Sequence, residues 1–186
     1  MNYHNITYPD MNNGDGLRVV LWLSGCSHRC FNCQNPQTWD VNSGIPFDES
    51  AKEELFRELD KDYISGLTLS GGDPLHEANL DGVLHLVDRF RLLFPNKSIW
   101  IYSGYTWEEC QPFSEEGLLK GSNFAPNLQK ILHKRQQIIT QCDVMVDGRY
   151  IDSQRNPSKK WAGSDNQRVI DIQESLKQNK VILYSD

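Results

Sequence analysis

The sequence predicts an α/β fold, an incomplete and laterally open (β/α) barrel of about five or six units, from three observations. Short apolar runs rich in β-branched and aromatic residues alternate with segments of helical periodicity, and the runs end in polar loops that often contain glycine. The chain of 186 residues is shorter than the ~250 typical of a closed eight-unit barrel. One domain spanning residues 1–186 is expected, because folding at this length buries roughly 70% of the surface of the unfolded chain.

The first unit opens with residues 17–23, LRVVLWL, the pattern of a buried strand, which stops at Ser24-Gly25. A helix over 47–59 follows, with Asp48 placed to cap it and Ala51, Leu55, Phe56 and Leu59 near one face. The second unit has a strand at 64–69 and a loop Gly71-Gly72-Asp73-Pro74. Its helix at 79–94 carries apolar Leu80, Val83, Leu84, Leu86, Val87 and Phe90, and Pro95 marks its end. The third strand is 98–102, ending in Ser103-Gly104, and the fourth is 143–146, ending in Asp147-Gly148-Arg149, with a helix at 127–139 between them. Residues 181–184 read as a final strand, whereas 168–172 fit either a strand or a docking segment. Alternation of this kind implies a parallel sheet, whose ligands bind where the loops at the carboxyl ends of the strands converge.

A formal charge of −6 argues against a broad nucleic-acid footprint, which needs clustered cations. No apolar run approaches the ~20 residues of a membrane helix, and the N-terminus lacks the pattern of a signal peptide, so a cytoplasmic address is expected. Of five cysteines, three crowd into Cys26-Ser27-His28-Arg29-Cys30-Phe31-Asn32-Cys33 on the loop leaving the first strand, while Cys110 and Cys142 stand alone. A disulfide framework fits this distribution poorly. Three thiolates so close together can instead wrap one metal centre, and soft sulfur suits an iron-sulfur cluster. Three local ligands, Cys26, Cys30 and Cys33, would leave one iron of a 4Fe-4S cluster open to a substrate. The alternative is a zinc site completed by His28 or a distant cysteine, although zinc favours paired C-x2-C units. His28 itself is expected to face solvent, and Trp39 to shield the loop.

The C-x3-C-x2-C spacing resembles the signature of the radical S-adenosylmethionine superfamily. The segments NNGDGLR, GCSHRCFNCQN, SGGDPLH and DVMVDGRY extend the resemblance to the activating enzymes of glycyl-radical enzymes, over most of the chain. The short length and the segments VNSGIPF and NQRVIDIQ narrow it to the branch that serves an anaerobic ribonucleoside-triphosphate reductase. The resemblance implies an oxidoreductase with two cofactors, a 4Fe-4S cluster and S-adenosyl-L-methionine. Its implied partners are the large subunit of that reductase and a low-potential electron donor of the flavodoxin or ferredoxin type.

On the same resemblance, Gly71, Gly72 and Asp73 hold the methionyl amine, and Asn32, Cys33 and Gln34 approach the adenine. Asp147 and Arg149 contact the cosubstrate with opposite charges. Independently of the resemblance, Ser103 at the end of the third strand is placed either to hydrogen-bond the same ligand or to form the Ser103-Gly104 turn. Asn32 departs from the family pattern, which often has an aromatic residue there. No side chain is expected to act as a general base, because the cofactor carries the chemistry. Rival readings are an activating enzyme of the formate-lyase type, disfavoured by the absence of ferredoxin-like insertions, a small-molecule radical enzyme, and a non-enzymatic iron-sulfur redox sensor.

Overall fold

The computed structural model describes residues 1–110 and 126–185. Its centre is one open, mixed sheet of seven strands: β1 (Asn2–Asp10), β2 (Arg18–Leu23), β3 (Ile45–Pro46), β4 (Gly66–Gly71), β5 (Ser98–Tyr102), β6 (Val144–Asp147) and β7 (Arg168–Asp171). The order across the sheet is β3-β1-β2-β4-β5-β6-β7. Only β2, β4, β5 and β6 are mutually parallel. The outer strands β1, β3 and β7 pair antiparallel, so the parallel portion is smaller than the five or six units expected.

The helices are α1 (Glu49–Leu59), α2 (Leu80–Leu93), α3 (Trp107–Cys110), α4 (Pro126–Ile139) and α5 (Ile172–Gln178). Asp48 caps α1 by accepting from the Ala51 N–H at 3.0 Å, satisfying one of the donors a helix start leaves open. The buried stripe Leu80, Val83, Leu86, Val87 and Phe90 turns α2 toward the sheet, and the helix ends just before Pro95. Alternation along the strands divides the two faces. Leu67, Leu69, Ile99, Ile101 and Met145 join the helices in the main core, whereas Trp100, Val144 and Val146 pack on the opposite face with Trp161 and Tyr184 nearby.

That opposite face is closed at the amino ends of the strands by Arg18, which is fully buried. Its guanidinium donates to Thr68 Oγ1, Ser98 Oγ and the carbonyls of Asp15, Leu67 and Ser98. All five donors of the planar fork are thereby used on neutral acceptors, and burial lowers the Arg18 pKa to about 10.

The structure adds to the sequence reading at three places. β1 was not anticipated because only Tyr3 and Ile6 along it are buried, leaving too few apolar positions to show a period. Residues 168–172 resolve into β7 and the start of α5. The expected strand at 181–184 reduces to one bridge between Ile170 and Leu183. The sequence leaves the segment from Cys110 to Gln141 open between a docking surface and a loop with helix, and its Phe113 and Phe124 lie outside the described residues. Among the described residues no helix is long and apolar enough to cross a membrane.

Candidate active site

The loops leaving β2, β4, β5 and β6 meet at the carboxyl end of the parallel strands, around a cavity lined by Cys26, Cys30, Cys33, Trp39, Gly71, Gly72, Ser103 and Gly148. Backbone bonds hold the cysteine loop in place. Gly25 and Cys26 donate to Thr38 and Trp39 carbonyls at 2.7 and 3.0 Å, and Asp73 donates to the Gly25 carbonyl at 2.7 Å. Gly71 is required where β4 ends. Its φ is +100°, and a Cβ there would stand 2.6 Å from the Leu23 nitrogen. A wider groove of about 800 Å³ continues from the cavity past Gln34, Tyr102, Tyr150 and Trp161, within the range of natural ligand sites.

The Cys33 sulfur accepts from the Asn35 N–H at 3.4 Å. Neighbouring backbone N–H groups favour the Cys26 and Cys30 thiolates, but burial outweighs them. Burial, reinforced by the Asp73 carboxylate, pushes the Cys26 thiol up to about 11, and burial also raises Cys30. Binding a metal centre must therefore expel protons from this loop. No three His, Cys, Asp or Glu side chains among the described residues converge closely enough for a single ion. The trio lines one shared cavity.

Two further groups fit a bound centre. The indole Nε1 of Trp39 and the hydroxyl of Tyr102 are buried without a hydrogen-bond partner among the described residues, and both residues line the cavity. A buried donor left unpaired costs about 1–3 kcal/mol, so a site that keeps two beside three thiols suits a group bringing acceptors. Tyr102 was not singled out from sequence, although alternation from Trp100 would have placed it on the same face.

Asp73 is the hub of the site and is 1% exposed. Its carboxylate accepts from the Leu75 N–H at 2.8 Å, the Ser103 hydroxyl at 3.0 and 3.1 Å, and the Gly104 N–H at 3.0 Å. His28 Nε2 lies 2.9 Å from Asp73 Oδ2. The histidine was expected in solvent; instead its side chain is 3% exposed, and its ring meets Tyr105 edge-on at 4.4 Å. The reason is the partner in the loop after β4, 45 residues away, which no local pattern announces. Gly104 leaves room for this ring, since a Cβ would stand 2.3 Å from His28 Cδ2.

The other expected contacts divide. Gly71, Gly72, Asp73 and Ser103 stand together at the cavity, and Cys33 lines both cavity and groove. Gln34 lines the groove alone. Asn32 is exposed, donates its amide to Asp152 Oδ2 at 3.1 Å, and has a φ of +54°. Asparagine tolerates that left-handed conformation better than an aromatic residue does, which accounts for the departure from the family pattern.

Asp147 stands apart from the residues that line the cavity. Val146 packs with Trp100 on the cavity side, so the next residue turns to the helix face. There Asp147 accepts from the Trp107 N–H at 2.7 Å, starting α3, and from Arg168 Nε at 3.1 Å. Its carboxylate is engaged and does not line the cavity. Arg149 is exposed, though its charge reaches Cys30 and opposes the rise in that thiol's pKa.

Comparison with known proteins accords with this arrangement. Residues 12–170 match the family described as a 4Fe-4S single cluster domain. Over 171 residues the chain is 36% identical to the anaerobic ribonucleoside-triphosphate reductase-activating protein of Escherichia coli (strain K12), covering 91% of this chain and 97% of that one. The protein of the same name from Vibrio cholerae serotype O1 is 37% identical over 171 residues, with coverage of 91% and 97%. That of Enterobacteria phage T4 is 38% identical over 170 residues, with 91% and 93%.

Proposed function

Because the chain belongs to the family of anaerobic ribonucleoside-triphosphate reductase-activating proteins, we propose that it activates its reductase by cleaving S-adenosylmethionine at a 4Fe-4S cluster held by Cys26, Cys30 and Cys33. Activation of that reductase and an iron-sulfur cluster are the family's properties. The three-thiol ligation and the cosubstrate extend them to named atoms. The observation that carries the reading is the meeting of three thiols and the Gly71-Gly72 loop around one cavity at the carboxyl ends of parallel strands.

Held by Cys26, Cys30 and Cys33, a 4Fe-4S cluster would supply the single electron that reductive cleavage of S-adenosylmethionine requires, and a glycine of the reductase's large subunit would be the hydrogen donor. The chain's own residues bind, orient and exclude water. Backbone at Gly71 and Gly72 approaches the methionyl group, with Asp73 and Ser103 fixing that loop against the cysteine loop. Backbone from Asn32 to Gln34 is the adenine contact, since the Asn32 amide is engaged by Asp152. Arg149 offers positive charge to the cosubstrate carboxylate. Asp147 serves indirectly, by anchoring Arg168 and α3.

The open sheet is read as a small variant of the radical S-adenosylmethionine barrel, formed by one domain over residues 1–186. The open groove leaves room for a protein segment bearing the glycine. The electron comes from a low-potential donor of the flavodoxin or ferredoxin type in the cytoplasm. Anaerobic reconstitution tests the core of this reading. About four irons per chain are expected, as one cubane requires, and Cys30→Ala should abolish their uptake. Reduced protein mixed with S-adenosylmethionine and the reductase should yield deoxyadenosine and an organic radical on the reductase. An intact cluster in the Cys30 variant, or no deoxyadenosine, would overturn it; the latter is the behaviour of a sensor.

A further inference from the structure

Trp39 holds a donor that no described residue uses. Its carbonyl accepts from the Cys26 N–H at 3.0 Å, so the residue is laced to the first cysteine. The 3-10 turn Pro36–Thr38 leads into it, and the Thr38 hydroxyl donates to the Asn35 carbonyl at 2.7 Å. The residue lines the cavity with all three thiols, yet its indole N–H is buried without a partner among the described residues. A native fold rarely leaves such a donor unmet unless a bound group meets it.

The acceptor can be narrowed. The Asn35 N–H already donates to the Cys33 sulfur at 3.4 Å, so sulfur is an acceptor that this loop serves. The Asp73 carboxylate already holds Leu75, Ser103, Gly104 and His28. We infer that the Trp39 indole N–H donates a hydrogen bond to a sulfur of the bound cluster, and so sets its reduction potential. Reduction adds negative charge to the cluster, and a donor at its sulfur stabilises the charged form more than the oxidised one. Trp39 thereby makes the cluster easier to reduce by a weak donor. The inference rests on the cysteine ligation proposed above.

The test compares wild-type protein with Trp39→Phe, which keeps an aromatic ring and removes the donor. Both are reconstituted anaerobically, assayed for iron, and titrated for midpoint potential without S-adenosylmethionine. Equal iron is expected, with the variant's reduced-to-oxidised ratio at a fixed potential about tenfold lower, equivalent to about 59 mV for one electron. An unchanged midpoint with full iron overturns the inference and leaves the ligation standing. A variant whose potential is unchanged but whose affinity for S-adenosylmethionine falls tenfold overturns it too, assigning the donor to the cosubstrate. If Trp39→Phe fails to fold, pulsed EPR on reduced wild-type protein carrying 15N-indole tryptophan decides the matter. Coupling to one indole nitrogen supports the bond, and its absence refutes it. Wild-type protein that takes up no iron overturns both readings.

Discussion

Replacing Asp73 with alanine removes one buried carboxylate and strands four donors: the Leu75 and Gly104 N–H groups, the Ser103 hydroxyl and His28. Each hydrogen bond to a charged group contributes about 1.5–3 kcal/mol net, and a stranded buried donor costs about 1–3 kcal/mol. Relief of the carboxylate's own desolvation offsets part of that loss. The expected net destabilisation is about 3–4 kcal/mol, a large share of the ~5–15 kcal/mol that holds a domain folded. For a chain of this size it corresponds to a fall in Tm of roughly 10 °C. Urea unfolding of the metal-free protein measures it, as a lower midpoint at unchanged slope. Asp73→Asn keeps one oxygen for Leu75 and Ser103, so it should lose about half as much. Because His28 is then loosened from the loop after β4, both variants should also take up iron more slowly. An alanine variant within about 1 kcal/mol of wild type would refute the assignment of Asp73 as the hub of these loops.

Three more outcomes are expected. Arg18→Lys leaves at most three donors where five are used; it should cost about 2 kcal/mol in urea unfolding while iron content stays normal, and unchanged stability would refute the plug. Gly104→Ala forces a Cβ to within 2.3 Å of His28 and should cost about 1–3 kcal/mol. A His28→Ala background should relieve that cost, whereas simple additivity would show that the two do not touch. Arg168 donates to Glu108 and holds its carboxyl below the usual range. A depressed folded pKa stabilises the fold above the unfolded value and ceases to do so as pH falls through the folded one. Glu108→Gln should therefore lower stability at pH 7 by under about 1 kcal/mol, since the pair is largely exposed. That gap should close toward pH 3, and a gap independent of pH would count against the pair.

The strands and helices nearest the site were legible because their signals are local. The run at 17–23, the Asp48 cap and the α2 stripe each declare themselves within a few residues. The cysteine trio is equally local: eight residues present three thiols, and nothing distant is needed to propose what they hold. The joining of Asp73 to Ser103 and Gly104, 30 and 31 positions on, depended on chain packing. So did the burial of His28 and the docking of Arg18 across three strands. Asp147 shows the limit most clearly. Its place at a strand end suggested a ligand, but a pleat sends successive side chains to opposite faces, and only the packed sheet shows which face meets the helices. Chemistry written in neighbouring residues can be read along the chain. Which charged group meets which depends on contacts between segments far apart in sequence, and those exist only once the chain has folded.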